Sequence, residues 1–386
     1  MAKWKLMEET INWSDRAKLA KFILTTKQFT NGPMVRKFEQ EWSKWLGCKY
    51  SLFVSSGSTA NTLLVEAVKE KYGLKAGDKV LLPACTWVTN VGPIIQAGFK
   101  PIFCDINLQN YSFDESELER IASKHKDIKL IFVTHLLGYS ANNEVYEKMF
   151  PNAIIIDDVC ESHGCEDQNG IKRGANSVGA TFSFYFGHHM TTVEGGMVST
   201  NDKELYDLMK MKRSHGMARE SEHYDEYASQ YPDVSRLFLF MTDGYNFRNH
   251  EMCAVLGLSQ LKRLDKMIKI RKNNYAMFQE LMEKNQDKFY PAYEMPMNSN
   301  FCFPIVARTK ETFDKLMEKL KEHEIEYRPI VSGNLMRQPF LKGYKLETKR
   351  EHTNVDLIHE QGVYLGNNHF VDESNISLLA RIFEEL

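Results

Sequence analysis

Between residues 50 and 200 the chain alternates short apolar runs with helical stretches, and few folds accept that rhythm. Seven runs stand out: Ser51–Val54, Lys79–Leu82, Pro101–Cys104, Leu130–Thr134, Ala153–Ile156, Ala180–Tyr185 and Met197–Thr200. Several are almost continuously apolar, which suits strands covered on both faces of a mainly parallel sheet. Between them, Ser58–Tyr72 sets Leu63, Leu64, Ala67 and Val68 on one helical face. Alternation of this kind predicts an α/β architecture with a seven-stranded, mainly parallel sheet and helices on both sides.

After about residue 250 the texture changes. His250–Asn285 reads as a helix, broken or bent, with Leu256, Leu258, Leu261, Leu264, Met267 and Ile270 as its apolar positions. Asn300–Ala307 and Glu326–Ile330 read as strands, Lys310–His323 as an amphipathic helix, and Ser374–Leu386 as a closing helix. Tyr290–Ser299, with two prolines and little periodicity, reads as a loop. A length of 386 residues exceeds one simple core. The expected division is a large domain over 1–250, N-terminal segment included, and a smaller C-terminal α+β domain over 251–386.

Composition narrows the function classes. The formal net charge is -2, so no global field favours nucleic acid or an anionic membrane. No basic stripe or recognition-helix pattern appears. The first residues, Met1 to Glu9, include acidic side chains and no apolar segment, unlike a signal peptide. No apolar run is long enough to span a bilayer, and a cytoplasmic location is expected. The 7 cysteines, Cys48, Cys85, Cys104, Cys160, Cys165, Cys253 and Cys302, are scattered and odd in number, unlike a disulfide framework. Cys160, His163 and Cys165 lie close together, but no second ligand pair at zinc spacing accompanies them. Reduced thiols and no metal are the preferred reading.

Three places carry candidate chemistry. Ser55-Ser56-Gly57-Ser58-Thr59-Ala60-Asn61 follows a strand and opens a helix, where unpaired amides and the helix dipole can hold a phosphate. A plain serine N-cap explains Ser58 equally well. Asp157-Asp158 ends a strand, where a carboxylate faces the usual ligand crevice, although a lone aspartate is more often an exposed loop residue. Trp87 follows another strand and is either a ring-stacking platform or core. Finally, His188 lies in Ser183-Phe184-Tyr185-Phe186-Gly187-His188-His189-Met190, and no lysine occurs between Lys172 and Lys203. An imidazole, with an ordinary pKa of about 6.5, can take and return protons near neutrality. A buried structural histidine is the alternative.

Taken in order, these pieces resemble the sugar-nucleotide aminotransferase family (DegT/StrS type) of fold-type I pyridoxal-phosphate proteins. The likeness runs nearly end to end. It includes Phe29-Thr30-Asn31-Gly32-Pro33 with Phe38-Glu39, Ser56 to Asn61, Asp158 with Glu161, Ser183-Phe184, Glu194-Gly195-Gly196 and Gly244-Tyr245-Asn246-Phe247-Arg248. His188 stands where most members carry the Schiff-base lysine. With Asp158 to Ser162, Ser214-His215-Gly216, Arg328 to Asn334 and Gly366-Asn367-Asn368-His369, this is similar to the lysine-free branch, the sugar 3-dehydratases.

The resemblance implies pyridoxal or pyridoxamine 5'-phosphate bound without a covalent link, and a fold-type I transferase-like architecture. Gly57, Ser58 and Ser183 would contact the phosphate, joined by Asn246 from the partner subunit of a homodimer. Asp158 would hold the pyridine nitrogen, Glu161 the ring oxygen and Trp87 the ring face. Arg328 would grip the carboxylate of glutamate, which leaves as 2-oxoglutarate. His215 and Arg219 would reach the sugar or its phosphates, or are simply surface charge. His188 would be catalytic, removing the C3 hydroxyl of a nucleotide-linked 4-keto-6-deoxy hexose of the GDP-4-keto-6-deoxy-mannose type, in deoxysugar biosynthesis for lipopolysaccharide O-antigen. No iron–sulfur cluster is expected, since no cysteine cluster is present. Two alternatives are a sugar aminotransferase working without its lysine and a non-catalytic cofactor-binding protein. Nucleotide, hexose, and the roles of His163 and His189 stay open.

Overall fold

The computed structural model describes residues 4–291, 293, 296–344, 346 and 353–386. All seven anticipated runs form strands: β1 (Tyr50–Val54), β2 (Lys79–Pro83), β3 (Lys100–Cys104), β4 (Ile128–Thr134), β5 (Ile154–Asp158), β6 (Ala180–Ser183) and β7 (Gly196–Thr200). They make one sheet in the order β1-β7-β6-β5-β4-β2-β3. β7 runs antiparallel to both β1 and β6, and the remaining pairings are parallel. The parallel strands therefore end along one edge, where α/β sheets place their ligands.

The continuous apolar runs are explained by helices on both faces. On one side, Leu52, Val54, Val80 and Leu82 meet helix α3 (Gly57–Lys71), through Leu63, Leu64, Ala67 and Val68, and helix α4 (Val88–Gln96). On the other, Phe53 and Phe182 meet Phe38 and Trp42 of helix α2 (Pro33–Leu46). Phe38 packs edge-on to Phe53 at 5.0 Å, and Trp42 to Phe182 at 5.0 Å, geometries that add to the burial of large rings. Glu39 on α2 turns inward. Its Oε1 accepts the Phe53 amide and Arg213 Nη1, both at 2.8 Å, tying α2 to β1 and to helix Lys203–Arg213.

The expected bend in His250–Asn285 falls at Lys262-Arg263, between helices Glu251–Leu261 and Leu264–Lys284. The second sheet has the order β8-β10-β9, all antiparallel, from β8 (Cys302–Val306), β9 (Tyr327–Pro329) and β10 (Gly362–Gly366). Helices Lys310–Glu322 and Glu373–Glu384 lie close to the expected spans. Of the anticipated loop Tyr290–Ser299, residues 292, 294 and 295 lie outside the described residues. Helix α1 (Trp13–Thr25), α2, helices Tyr224–Gln230 and Thr353–Gln361, and strand β10 are among the elements that the sequence pattern does not mark. Near the N-terminus Trp4 lies beside the second sheet: it bridges to Ile325, just before β9, and its Nε1 donates to the Gly366 carbonyl at 3.0 Å.

Candidate active site

A cleft of about 450 Å³ opens at the C-terminal edge of the parallel strands. Each neighbouring strand sends one segment into it: Ser56–Ser58 after β1, Trp87 after β2, Thr134–Leu136 after β4, Asp158–Glu161 after β5 and Ser183–His188 after β6. Gly57, Ser58, Trp87, Asp158, Glu161, Ser183 and His188 are thus brought together. No lysine lines the cleft among the described residues. A larger open groove of about 850 Å³ between α1, α2 and helix Glu251–Leu261 contains none of the anticipated residues.

The start of α3 is arranged as an anion cradle. Ser56 Oγ takes the Thr59 amide at 3.1 Å, and the Ser56 carbonyl takes that of Ala60 at 3.0 Å. The Gly57 and Ser58 amides bond to no other described residue, so two donors remain at the positive end of the helix. The N-cap explanation belongs to Ser56, not to Ser58. Glycine at 57 is required by crowding: a Cβ there would sit 2.6 Å from Ser183 Cβ and 3.2 Å from Cys160 Sγ.

Asp158 is buried, not an exposed loop residue. Its Oδ2 accepts from Asn90 Nδ2 at 2.8 Å and Asn61 Nδ2 at 3.0 Å, and its Oδ1 from the Cys160 amide at 2.9 Å. Thr181 Oγ1 donates to Asn61 Oδ1 at 2.6 Å, which fixes the Asn61 amide orientation. These bonds lock the carboxylate rotamer at the cleft floor. Trp87 caps α4 and is 53% exposed, so it is not a core tryptophan. Its aromatic surface remains available within the cleft lining.

Glu161 accepts the Leu137 amide on Oε2 at 2.9 Å. Burial, with a smaller push from Asp158, raises its pKa to about 7. His188 is half-buried in the turn after β6, its amide bonded to the Tyr185 carbonyl at 3.0 Å. Its Nδ1 is enclosed by protein and makes no hydrogen bond, whereas Nε2 is not enclosed. Desolvation, and then the Arg271 guanidinium, push its pKa down to about 4, so the imidazole is neutral at pH 7 and able to accept a proton. His163 and His189 lie behind it, both buried, and Phe301 closes the cleft at 5.7 Å from the His188 ring.

Four anticipated residues stand outside this lining. Arg328 is exposed on β9 and pairs across the strand with Tyr364 of β10, which does line the cleft. Asn246 is exposed and accepts Arg248 Nε at 3.0 Å. Its neighbour Phe247 takes the Ser55 amide at 2.9 Å, so the segment runs beside the phosphate cradle. His215 adopts a left-handed φ of 66° and lies near Arg248, and Arg219 is exposed on a short helical turn. Asn61, Asn90, Tyr364 and Phe301 also line or support the cleft without an expected role. Asn61 alone carried a signal, one helical turn beyond Ser58 and facing the same strand ends.

The donor set fits a pyridoxal-type cofactor: two free amides with Ser58 and Ser183 for a phosphate, a fixed carboxylate for a pyridine nitrogen, and an exposed indole for a ring face. Comparison with known proteins agrees. Residues 12–382 match the model of the DegT/DnrJ/EryC1/StrS aminotransferase family. The chain is 33% identical over 361 residues to GDP-4-keto-6-deoxy-D-mannose 3-dehydratase of Yersinia pseudotuberculosis, covering 91% of each. The Escherichia coli GDP-4-keto-6-deoxy-D-mannose-3-dehydratase with bound hydrated PLP superposes with a TM-score of 0.92 at 29% identity, over 99% of this chain and 100% of that one. A structure of GDP-4-keto-6-deoxymannose-3-dehydratase with a trapped PLP-glutamate geminal diamine gives 0.90 at 28% identity, with the same coverage.

Proposed function

This chain belongs to the DegT/DnrJ/EryC1/StrS aminotransferase family, and within it we propose a pyridoxal/pyridoxamine phosphate-dependent nucleotide-sugar 3-dehydratase. The substrate is a GDP-linked 4-keto-6-deoxy hexose, and glutamate regenerates the amine form of the cofactor. The observation that carries this reading is the placement of His188, a neutral imidazole in a cleft that no lysine lines among the described residues. The relatives named above support the substrate and the co-substrate.

When bound, the cofactor supplies a primary amine for the sugar's 4-keto carbon and a ring that accepts an electron pair. Gly57, Ser58 and Ser183 would hold its phosphate, Asp158 would pair with the ring nitrogen, and Trp87 would cover the ring. Glu161, with a pKa of about 7, would share its proton with the ring oxygen. His188 Nε2 would take the proton released beside the ring and return one to the sugar's C3 hydroxyl, which would leave as water. A lysine in that place would bond to the cofactor and displace the sugar. The reaction releases a 4-keto-3-deoxy sugar and ammonia.

We assign Arg328 to the glutamate carboxylate, since its strand partner Tyr364 reaches the cleft. His215 and Arg219 are assigned to the sugar nucleotide. Asn246, exposed beside the cradle, serves the phosphate of a partner's site in a homodimer. We divide the chain into a cofactor-binding domain over 1–250 and a second domain over 251–386. Among the described residues no helix is long and apolar enough to cross a membrane; a nucleotide-sugar substrate favours the cytoplasm. The test is incubation with a panel of 4-keto-6-deoxy nucleotide sugars, cofactor and glutamate. Mass spectrometry of the sugar should show loss of the C3 oxygen, with ammonia formed. A sugar that retains this oxygen and gains an amine makes the protein an aminotransferase instead.

A further inference from the structure

Behind His188 lies a second imidazole that the proposed chemistry leaves without a task. His163 is fully buried in an aromatic box, edge-on to Trp42 at 5.6 Å and tilted against Phe182 and Phe184 at 5.8 and 5.7 Å. Neither of its nitrogens makes a hydrogen bond; the Ser183 carbonyl approaches one of them without reaching hydrogen-bonding geometry. An enclosed polar group left unpaired is destabilising. Phenylalanine would satisfy the box at no such cost, so packing does not account for a histidine here.

The adjoining ring is His188, with centroids 6.2 Å apart and planes 39° from parallel. Its enclosed Nδ1 also has no protein partner, while Nε2 remains open. Two neighbouring imidazoles therefore each present an unpaired nitrogen inside the protein. No direct hydrogen bond joins them, so a link between the rings requires a bridging water. We propose that His163 is a positioning residue for His188: its free nitrogen accepts, through one buried water, the proton carried on His188 Nδ1, and so keeps the His188 lone pair on Nε2, in the cleft. Which nitrogen of a neutral histidine holds the proton is set by the bond its other nitrogen makes. A proton on the His163 nitrogen nearest Ser183 leaves the other as the acceptor.

The surroundings keep this pair uncharged. Arg271, from helix Leu264–Lys284, is buried with no carboxylate partner among the described residues. Its guanidinium bonds the Phe301 and Asn367 carbonyls and lies 5.9 Å from the Phe301 ring that touches His188. His189, 5.4 Å from His163, bonds the Ser299 carbonyl through Nε2 at 3.1 Å. Tyr185 flanks His188 at 6.3 Å. Burial and this cation hold all three imidazoles below their ordinary pKa.

The inference rests on His188 being the base, and its test separates the two. Protein labelled with 15N-histidine reports the protonated nitrogen of each of the 12 rings, with His188→Asn identifying the signal. Wild-type His188 is expected to be neutral with its proton on Nδ1. In His163→Phe this preference should be lost, and kcat should fall about 10- to 100-fold with KM unchanged. His163→Gln, which keeps an acceptor, should recover kcat to within about threefold of wild type. A wild-type proton on Nε2, or a folded His163→Phe enzyme with unaltered tautomer and kcat, overturns the proposal. The tautomer is read without substrate, so a different substrate would leave this result standing.

Discussion

Glu161 reaches back to Leu137, accepting its amide on Oε2 at 2.9 Å in a turn where Leu137 adopts a left-handed φ of 56°. This single bond does not offset burial, and the carboxyl pKa rises from 4.5 to about 7. Between those values the native state holds a proton that the unfolded chain releases. The group's contribution to stability is therefore complete below pH 4.5 and lost as pH rises through 7. From pH 5 to 8, cofactor-free protein should lose roughly 1–3 kcal/mol more than Glu161→Gln, allowing for solvent in the cleft. Urea denaturation of both proteins at the two pH values measures this; equal losses would count against a raised Glu161.

Gly57→Ala places a methyl 2.6 Å from Ser183 Cβ. Either α3 or β6 must shift, and the two free amides move with α3. We expect a stability loss of about 1–3 kcal/mol and at least ~10-fold weaker cofactor binding. Thermal melts and absorbance titration report the two effects. Unchanged cofactor affinity would remove the helix start from the phosphate site.

Asp158→Asn keeps the shape and removes the charge; its oxygen can still accept from Asn61 and Asn90, but its NH2 then faces the Cys160 amide and cannot accept from it. Dehydration should fall by at least ~100-fold, with cofactor affinity reduced. Retention of more than half the activity would show that the ring nitrogen does not depend on this carboxylate.

His188→Asn should bind cofactor and lose dehydration, while His188→Lys should gain a covalently held cofactor and also lose dehydration. The visible spectrum and product analysis distinguish the two. Undiminished turnover in the Asn variant would take His188 out of the chemistry.

What was legible in the sequence follows from how each feature is encoded. The seven strands of the large sheet are apolar runs, because both of their faces are covered, and the long C-terminal helices show periodicity. The antiparallel direction of β7 is not encoded by such a run. β10 is five residues bounded by Gly362 and Gly366 and is identifiable only through its partners. In α1 only Asp15 is buried, held by Arg263 from far along the chain, so no apolar face marks that helix. Site residues directly after strands, such as Ser58, Asp158 and His188, could be found from position. Asn90, Phe301, Tyr364 and Arg271 act through tertiary neighbours, and nothing local to them distinguishes those residues.

The most direct test is to load the protein with pyridoxal phosphate, treat it with borohydride and map any pyridoxyl adduct by mass spectrometry. With an imidazole at position 188 and no lysine in the cleft lining, the cofactor should wash out unattached and every described lysine should remain unmodified. A stoichiometric adduct on one lysine would contradict the account.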